Sequence, residues 1–359
     1  MFSIQHIDLT QFRNYSKATY DFSERIVAIC GSNGVGKTNL LDAIHYLSFT
    51  KSYFNKPDAI ASNIDQGGFR ISGTFAYDQL QKEVALIYRE NGKKELQVDQ
   101  ALVQKFSEHI GEIPLVFIAP DDTKLITGGS EERRNFIDTL LSQWDQTYLS
   151  HLIRYQKALL ERNKFLKQIH EGNLDSHLLE AYDEQLVLHG SFILQKRLYF
   201  SSELHETILE IFQFLGEHHE HPTLQYMATT TVDSYSSDLK KSLQKDLALQ
   251  RTNIGVHKDD IEIQMNGLPF KQTASQGQKK SMLFSFKLAS FSMIQKQKHM
   301  EPILMMDDVF EKLDQFRLQR LMEWVCIQHK GQVFITDTHD DRLKKLMKDI
   351  SLPFQMIQL

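Results

Sequence analysis

The sequence is short of several things that would point elsewhere. Two cysteines among 359 residues, Cys30 and Cys326, are too few and too differently placed for a disulfide framework, and both read as core fillers rather than ligands. No run approaches the eighteen apolar residues of a membrane span. The opening Met1-Phe2-Ser3-Ile4-Gln5-His6 lacks a basic flank followed by an apolar stretch. The expectation is an unexported, cytoplasmic protein with no membrane partner. Basic charge is not in excess either: 41 Lys and Arg stand against 46 Asp and Glu, a formal charge of −5. Global electrostatics therefore does not advertise nucleic-acid binding, and any DNA site must be local. There is no internal repeat and no low-complexity linker. The length suits two domains, or one large core with an inserted subdomain.

What is present begins with Gly31-Ser32-Asn33-Gly34-Val35-Gly36-Lys37-Thr38, a match to the phosphate-binding loop G-x-x-x-x-G-K-[ST]. Arg25-Ile26-Val27-Ala28-Ile29-Cys30 before it reads as a buried strand, and Asn39-Leu40-Leu41-Asp42-Ala43-Ile44 after it as the first turns of a helix. The chemistry needs that order. Glycines let backbone N–H groups curl around phosphate oxygens, and the helix N-terminus adds partial positive charge. Lys37 is expected to reach the β- and γ-phosphates of ATP, and the Thr38 hydroxyl to ligate Mg²⁺.

Strand patterns dominate as far as about Phe117, with strands expected over 4–9, 69–77, 82–90, 95–98 and 113–118 and a hairpin signal at Asn91-Gly92. After Pro120 the pattern turns helical. Glu131 and Glu132 open a segment behind Ser130, and Phe136, Leu140, Tyr148, Leu152, Tyr155 and Leu159 follow at helical spacings, as one long helix or two in series. Gly172-Asn173 breaks it. A second run passes through Leu178, Tyr182, Leu186, Ile193, Phe200, Leu204, Ile208 and Ile211. Two arms of about 40 residues, roughly 60 Å each if unbroken, make an antiparallel hairpin. Strands return around 261–265, with a turn at Asn266-Gly267. A helix over 277–295, a strand over 303–306, a helix over 315–326 and a strand over 332–336 then complete an α/β pattern.

Pro302-Ile303-Leu304-Met305-Met306-Asp307-Asp308 is an apolar strand ending in two carboxylates, as a Walker B element requires. Asp307 would meet the Mg²⁺ shell and Asp308 orient the attacking water, so Lys37, Asp307 and Asp308 are the expected catalytic residues. Ser275-Gln276-Gly277 opens a helix about thirty residues earlier. On its own this is a capped helix; in that position it resembles the signature motif of ABC-type ATPases, which contacts the γ-phosphate held by a second subunit. In that class Val309-Phe310-Glu311-Lys312-Leu313-Asp314 resembles the D-loop, with Asp314 at the subunit interface. His339 is either the switch histidine or an ordinary surface histidine. A transport ATPase would carry its signature much closer to the phosphate loop than the 238 residues that separate Lys37 from Ser275.

Several further elements, in order along nearly the whole chain, resemble the RecF family of bacterial recombination-mediator ATPases related to the SMC proteins. They are Phe12-Arg13-Asn14-Tyr15, the phosphate-loop helix, Ala119-Pro120-Asp121-Asp122, Arg133-Arg134 with Asp138, and Tyr155 to Asn163. Val256 and Lys258 in Gly255-Val256-His257-Lys258-Asp259-Asp260 depart from the usual G-P-H-R-D-D, and Asp122 departs from P-E-D.

The resemblance implies an ABC-type, SMC-like P-loop ATPase head with an inserted α-helical arm. The expected divisions are 1–118 (head, with Walker A), 119–245 (arm) and 246–359 (head, with signature and Walker B). Its expected nucleotide contacts are Gly31, Ser32, Asn33, Gly34, Val35, Gly36, Lys37, Thr38 and Asn39, with Ser275, Gln276, Gly277, Asp314 and His339 supplied around a homodimer. Arg13 and Asn14 would approach adenine, and Asn63 and Gln66 both fit the Q-loop. The activity implied is slow ATP hydrolysis that resets an ATP-dependent dimer on duplex DNA at single-strand gaps, where it works with RecR and RecO to load RecA. Arg154, Lys157, Arg162, Lys164 and Lys167 against Glu161 give residues 151–170 a net charge of +4. That segment is a candidate for phosphate contacts, and a solvated helix face is the other reading.

Overall fold

The computed structural model describes residues 2–54, 56–63, 67–77, 80–168, 176–216, 220–308, 310 and 313–359. Met1, Gln66, Gly172-Asn173, the last two residues of the 151–170 segment, Val309, Glu311 and Lys312, all invoked above, lie outside them. In chain order the strands are β1 (Phe2–Phe12), β2 (Tyr15–Asp21), β3 (Ile26–Cys30), β4 (Phe69–Tyr77), β5 (Leu80–Tyr88), β6 (Lys94–Val98), β7 (Ala101–Leu102), β8 (Leu115–Ile118), β9 (Pro222–Met227), β10 (Asp260–Met265), β11 (Leu268–Pro269), β12 (Ile303–Met306), β13 (Val333–Asp337) and β14 (Gln355–Gln358).

Two compact units emerge. The first comprises Met1–Asp122, Phe214–Gly216 and Gln276–Leu359, the second Thr123–Gln213 and Glu217–Ser275. The first unit holds two sheets. A parallel sheet has the order β14-β3-β13-β12-β8. Its strands β3, β8, β12 and β13 are buried at every position, the continuous apolar run that a sheet covered on both faces demands. The antiparallel sheet runs β2-β1-β4-β5-β6-β7, and β1 alternates buried with partly exposed residues as a one-sided sheet should. Its inner face packs Phe12 edge-on to Tyr46 and Phe69, at 5.5 and 5.3 Å between centroids, in one core with Leu40, Ile44 and Leu47 of the Lys37–Phe49 helix.

The second unit contains helices Ser130–Ser142 and Gln146–Gln168, the helix Ser176–Leu215 as far as Gln213, and a three-stranded antiparallel sheet, β11-β10-β9. The first expected arm is thus two helices in series. Asn266 (φ 54°) and Gly267 (φ 75°) are both left-handed between paired Met265 and Leu268, the requirement of a two-residue hairpin turn. The helical phase differs from expectation at two places. Leu179 is buried where Leu178 was expected, and Ala158 is buried where Leu159 was.

The expected boundaries 119–245 and 246–359 also differ from the observed units. Residues 246–275 fall in the second unit because β10 pairs along its whole length with β9 and Asp260 accepts from Arg133 at 2.6 and 3.0 Å. Residues 119–122 fall in the first, where Ala119 N–H donates to Asp122 Oδ2 (2.8 Å) and Tyr53 OH to Asp122 Oδ1 (2.5 Å).

The second unit is pinned by arginines. Arg162 is fully buried and donates to Asp183 (2.6 Å), Asp246 (2.7 Å) and Thr252 (2.9 Å). Arg197, also buried, donates to Asp138 (2.7 Å), Tyr148 OH (3.1 Å) and the Val256 carbonyl (2.8 Å). The stretches that mark the family resemblance here, Arg133-Arg134 with Asp138 and Asp259-Asp260, are therefore partners within a folded scaffold. Removing one member of such a pair strands a buried charge. Arg162→Ala is expected to cost about 3–5 kcal/mol, because Asp246 is itself fully buried. Urea unfolding checks it.

Candidate nucleotide site

The C-terminal ends of adjacent parallel strands are where an open α/β sheet gathers its site. Here β3 leads into the glycine loop, β12 into Asp307 and Asp308, and β13 into Thr336 and Asp337. The register Met306↔Ile335 and Asp337↔Cys30 sets these ends side by side. A cleft of about 180 Å³ lies there, lined by Asn33, Gly34, Gly36, Lys37, Thr38, Asn39, Asp307 and Asp308.

Within the loop, Lys37 Nζ donates to the carbonyls of Gly31 (2.7 Å) and Ser32 (3.0 Å). Gly36 has φ 121°, and a Cβ there would lie 2.7 Å from Asn14 Nδ2 and 2.8 Å from Tyr15 OH. Only glycine satisfies both constraints. Those neighbours also clamp the loop. Asn14 Nδ2 donates to the Val35 carbonyl (2.8 Å), Asn39 Nδ2 donates to Asn14 Oδ1 (2.8 Å), and Tyr15 OH donates to the Gly36 carbonyl (3.1 Å).

Asp307 is the centre of the acidic side. Thr38 Oγ1 donates to its Oδ2 (2.8 Å) and Thr336 Oγ1 to its Oδ1 (2.7 Å). Thr336 Oγ1 also accepts from the Asp308 amide (2.9 Å), and Asp308 is left-handed with φ 45°. Burial pushes the Asp307 carboxyl above its ordinary range, with the Asp308 charge adding to it, against the two threonine hydrogen bonds. A hydroxyl beside a buried carboxylate is a donor set that fits Mg²⁺.

The remaining expected residues are elsewhere. Ser275 and Gln276 are exposed, Gly277 lies in the first turn of the Gln276–Lys298 helix, and Asp314 caps the Gln315–Glu323 helix. His339 is exposed, and its N–H donates to Asp337 Oδ1 (2.9 Å). None of these five lines the cleft. Arg13, expected near adenine, is committed to buried Asp42, with Nη2 donating also to Ser52 Oγ (2.9 Å). From Ser52 and Tyr53, whose amide donates to Asp42 (2.8 Å), the chain of polar contacts continues. Tyr53 OH bonds Asp122, and Lys287 meets both Tyr53 OH (2.8 Å) and Asp122 (3.0 Å).

Thr336 was missed in the sequence. Its signal was a hydroxyl residue at the end of an otherwise apolar strand next to Walker B. Among the candidate DNA-contacting residues, Arg162 is buried and paired, whereas Arg154, Lys157, Lys164 and Lys167 are exposed.

Comparison with known proteins is consistent with this geometry. The sequence profile for the RecF/RecN/SMC N terminal domain matches residues 3–356. The DNA replication and repair protein RecF of Cytophaga hutchinsonii is 39% identical over 355 residues, covering 98% of this chain and 94% of that one. The chain belongs to the RecF family. RecF of Flavobacterium johnsoniae is 38% identical, with 99% of each chain covered. A solved structure of the recombination mediator RecF with ATP, from the RecFOR pathway, superposes with a TM-score of 0.87 at 28% identity, covering 94% of this chain and 92% of that one. The Smc head domain of Pyrococcus furiosus shares the fold (TM-score 0.54, 16% identity, 98% and 100% coverage). The fold is accordingly the SMC-type ABC ATPase fold, and the chain is a DNA replication and repair protein of this family. Among the described residues no helix is long and apolar enough to cross a membrane.

An ionised, buried Asp307 opposes folding at neutral pH. Its raised pKa means that the stabilising protonated form is lost as pH rises through the folded value. Asp307→Asn is therefore expected to raise stability without nucleotide at pH 7 by about 1 kcal/mol, and to abolish the further rise that Mg²⁺ and ATP give the parent. Thermal unfolding with and without Mg²⁺-ATP checks both halves.

Proposed function

We propose that the protein is an ATP switch that dimerises on DNA. The observation that carries the reading is the clamped glycine loop facing Asp307 across Thr38, with Gln276, Gly277 and Asp314 outside the same cleft. In each protomer the backbone of Gly34 to Lys37 would wrap the phosphates, Lys37 would bind the β- and γ-phosphates, and Asn14 would hold the loop in shape. Mg²⁺ held by Thr38 and Asp307 would neutralise charge on the transferring phosphoryl group. Asp308 would orient the attacking water, and its short side chain suits slow hydrolysis of ATP to ADP and phosphate. Ser275, Gln276, Gly277 and Asp314 of a second copy would complete the site, and so would His339. A two-fold pair then encloses two nucleotides.

The DNA step rests on family membership and on the exposed basic face of the Gln146–Gln168 helix. Arg154, Lys157 and Lys167 project there, with Lys164 paired to Glu161 at 2.8 Å. We infer duplex DNA with single-strand gaps as the ligand, RecR with RecO as partners and RecA loading as the outcome, since the ATP-bound relative comes from the RecFOR pathway. Release would follow hydrolysis, in the cytoplasm.

Sedimentation with and without Mg²⁺-ATP and duplex DNA tests the reading. The parent should form an ATP-dependent dimer that DNA favours, and Lys37→Ala and Ser275→Arg should stay monomeric. A parent that remains monomeric under every condition refutes it. Lys157→Glu with Lys167→Glu should weaken DNA binding about tenfold and lower the slope of log affinity against log salt by about two. Equal binding at all salt concentrations would remove this helix from the interface.

A further inference from the structure

Arg317 lies in the first turn of the Gln315–Glu323 helix and is 8% exposed. Its backbone N–H donates to Asp314 Oδ1 (2.8 Å), an ordinary helix cap. The cap's other oxygen does something a cap does not need. Asp314 Oδ2 accepts from Arg317 Nε (3.1 Å), which turns the guanidinium inward so that Nη1 donates to Ser281 Oγ (2.6 Å). Ser281 is buried in the second turn of the Gln276–Lys298 helix, and a Cβ on Gly277 would stand 3.6 Å from Arg317 Nε.

One planar, multiply donating group thus joins the cap of one helix to the opening turns of another, a task the point charge of lysine performs poorly. Gln276, Asp314 and Phe316, at the starts of the two helices, are exposed. Burying a guanidinium is costly unless its geometry is well used. It also sets a positive charge beside a helix N-terminus, where the helix dipole is already positive. The paired Asp314 carboxylate offsets that charge.

We propose that Arg317 is a positioning residue that makes the Asp314 segment and the first turns of the Gln276–Lys298 helix move as one edge, which meets the phosphates carried by a second copy of this chain. It would set the affinity of ATP-dependent association and leave each protomer's own ATP affinity alone. This rests on the dimer reading above.

The test separates two equilibria for the parent, Arg317→Ala, Arg317→Lys, Ser281→Ala and the Arg317→Ala/Ser281→Ala double variant. The first is binding of a fluorescent ATP analogue at protein concentrations too low for dimers, and the second is dimer dissociation at saturating Mg²⁺-ATP by sedimentation velocity. ATP affinity should stay within about twofold throughout. Dimer affinity should fall about tenfold for Arg317→Ala and for Ser281→Ala, less for Arg317→Lys, and no further in the double variant than in the worse single one. Dimerisation of Arg317→Ala within about twofold of the parent overturns the proposal. So does an equal loss of ATP affinity, or single effects that multiply in the double variant. If Arg317→Ala does not fold, Ser281→Ala, which removes only the hydroxyl that Arg317 Nη1 meets, decides. A parent that binds ATP yet never dimerises sinks the dimer reading and this proposal together. A dimerising parent with unaffected variants sinks this proposal alone.

Discussion

The site hangs on one buried carboxylate. Asp307 is 3% exposed and held by hydroxyls that leave two other strands, Thr38 beyond β3 and Thr336 at the end of β13. Its own amide donates to the Ile118 carbonyl of β8 at 2.8 Å. Four strands of the parallel sheet, β3, β13, β12 and β8, are thereby tied at their C-terminal ends through one side chain and its backbone. Parallel pairing makes this possible, because every strand ends on the same edge and a one-residue slip would turn Asp307 to the other face. The arrangement opposes folding, since burial disfavours the ionised form. Such local cost is characteristic of positions retained for chemistry rather than stability.

Around this centre, segments far apart in sequence form a continuous polar chain. Arg13 holds Asp42 on the phosphate-loop helix, and Asp42 holds Ser52 and Tyr53. Tyr53 and Lys287 then share Asp122. The residues Phe12 to Tyr15 therefore do two structural jobs. Phe12 and Arg13 seat the helix from below, while Asn14 and Tyr15 hold the glycine loop by its carbonyls. Backbone carbonyls tied back in this way leave the loop's N–H groups as the groups that can turn toward an anion.

The second unit uses charge differently. Arg133, Arg162 and Arg197 each satisfy a buried or half-buried aspartate and at least one further oxygen. Pairs of this kind add little over a well-packed apolar alternative, but they penalise misregistered helices heavily, since any slip leaves a charge without its partner. A 40-residue helix with an evenly apolar face has several near-equivalent packings. Fixed ionic partners are a physical means of selecting one.

The phosphate loop, the Walker B strand and the strands over 69–77 and 113–118 were legible because each is written in consecutive residues, whereas β2, β9 and β14 were not anticipated. A buried strand, three glycines with a lysine and a helix carry their meaning within about twenty positions. The Asn266-Gly267 hairpin was legible for the same reason. What stayed hidden involved partners distant in the chain. Arg162 reads as a surface cation until Asp183 and Asp246 are brought to it, and Leu178 exchanges places with Leu179 once the facing helices choose a phase. Residues 246–275 join the second unit because β10 finds β9, not through any local signal. Thr336 gains its role only when β13 is laid beside β12. The sequence alone determined where a phosphate-loop pattern and an acid-terminated apolar strand stand, because each is a matter of residue types at short spacing. Tertiary structure alone decided which charges are buried, which carbonyls are clamped and which residues share an edge, because these depend on long-range pairing.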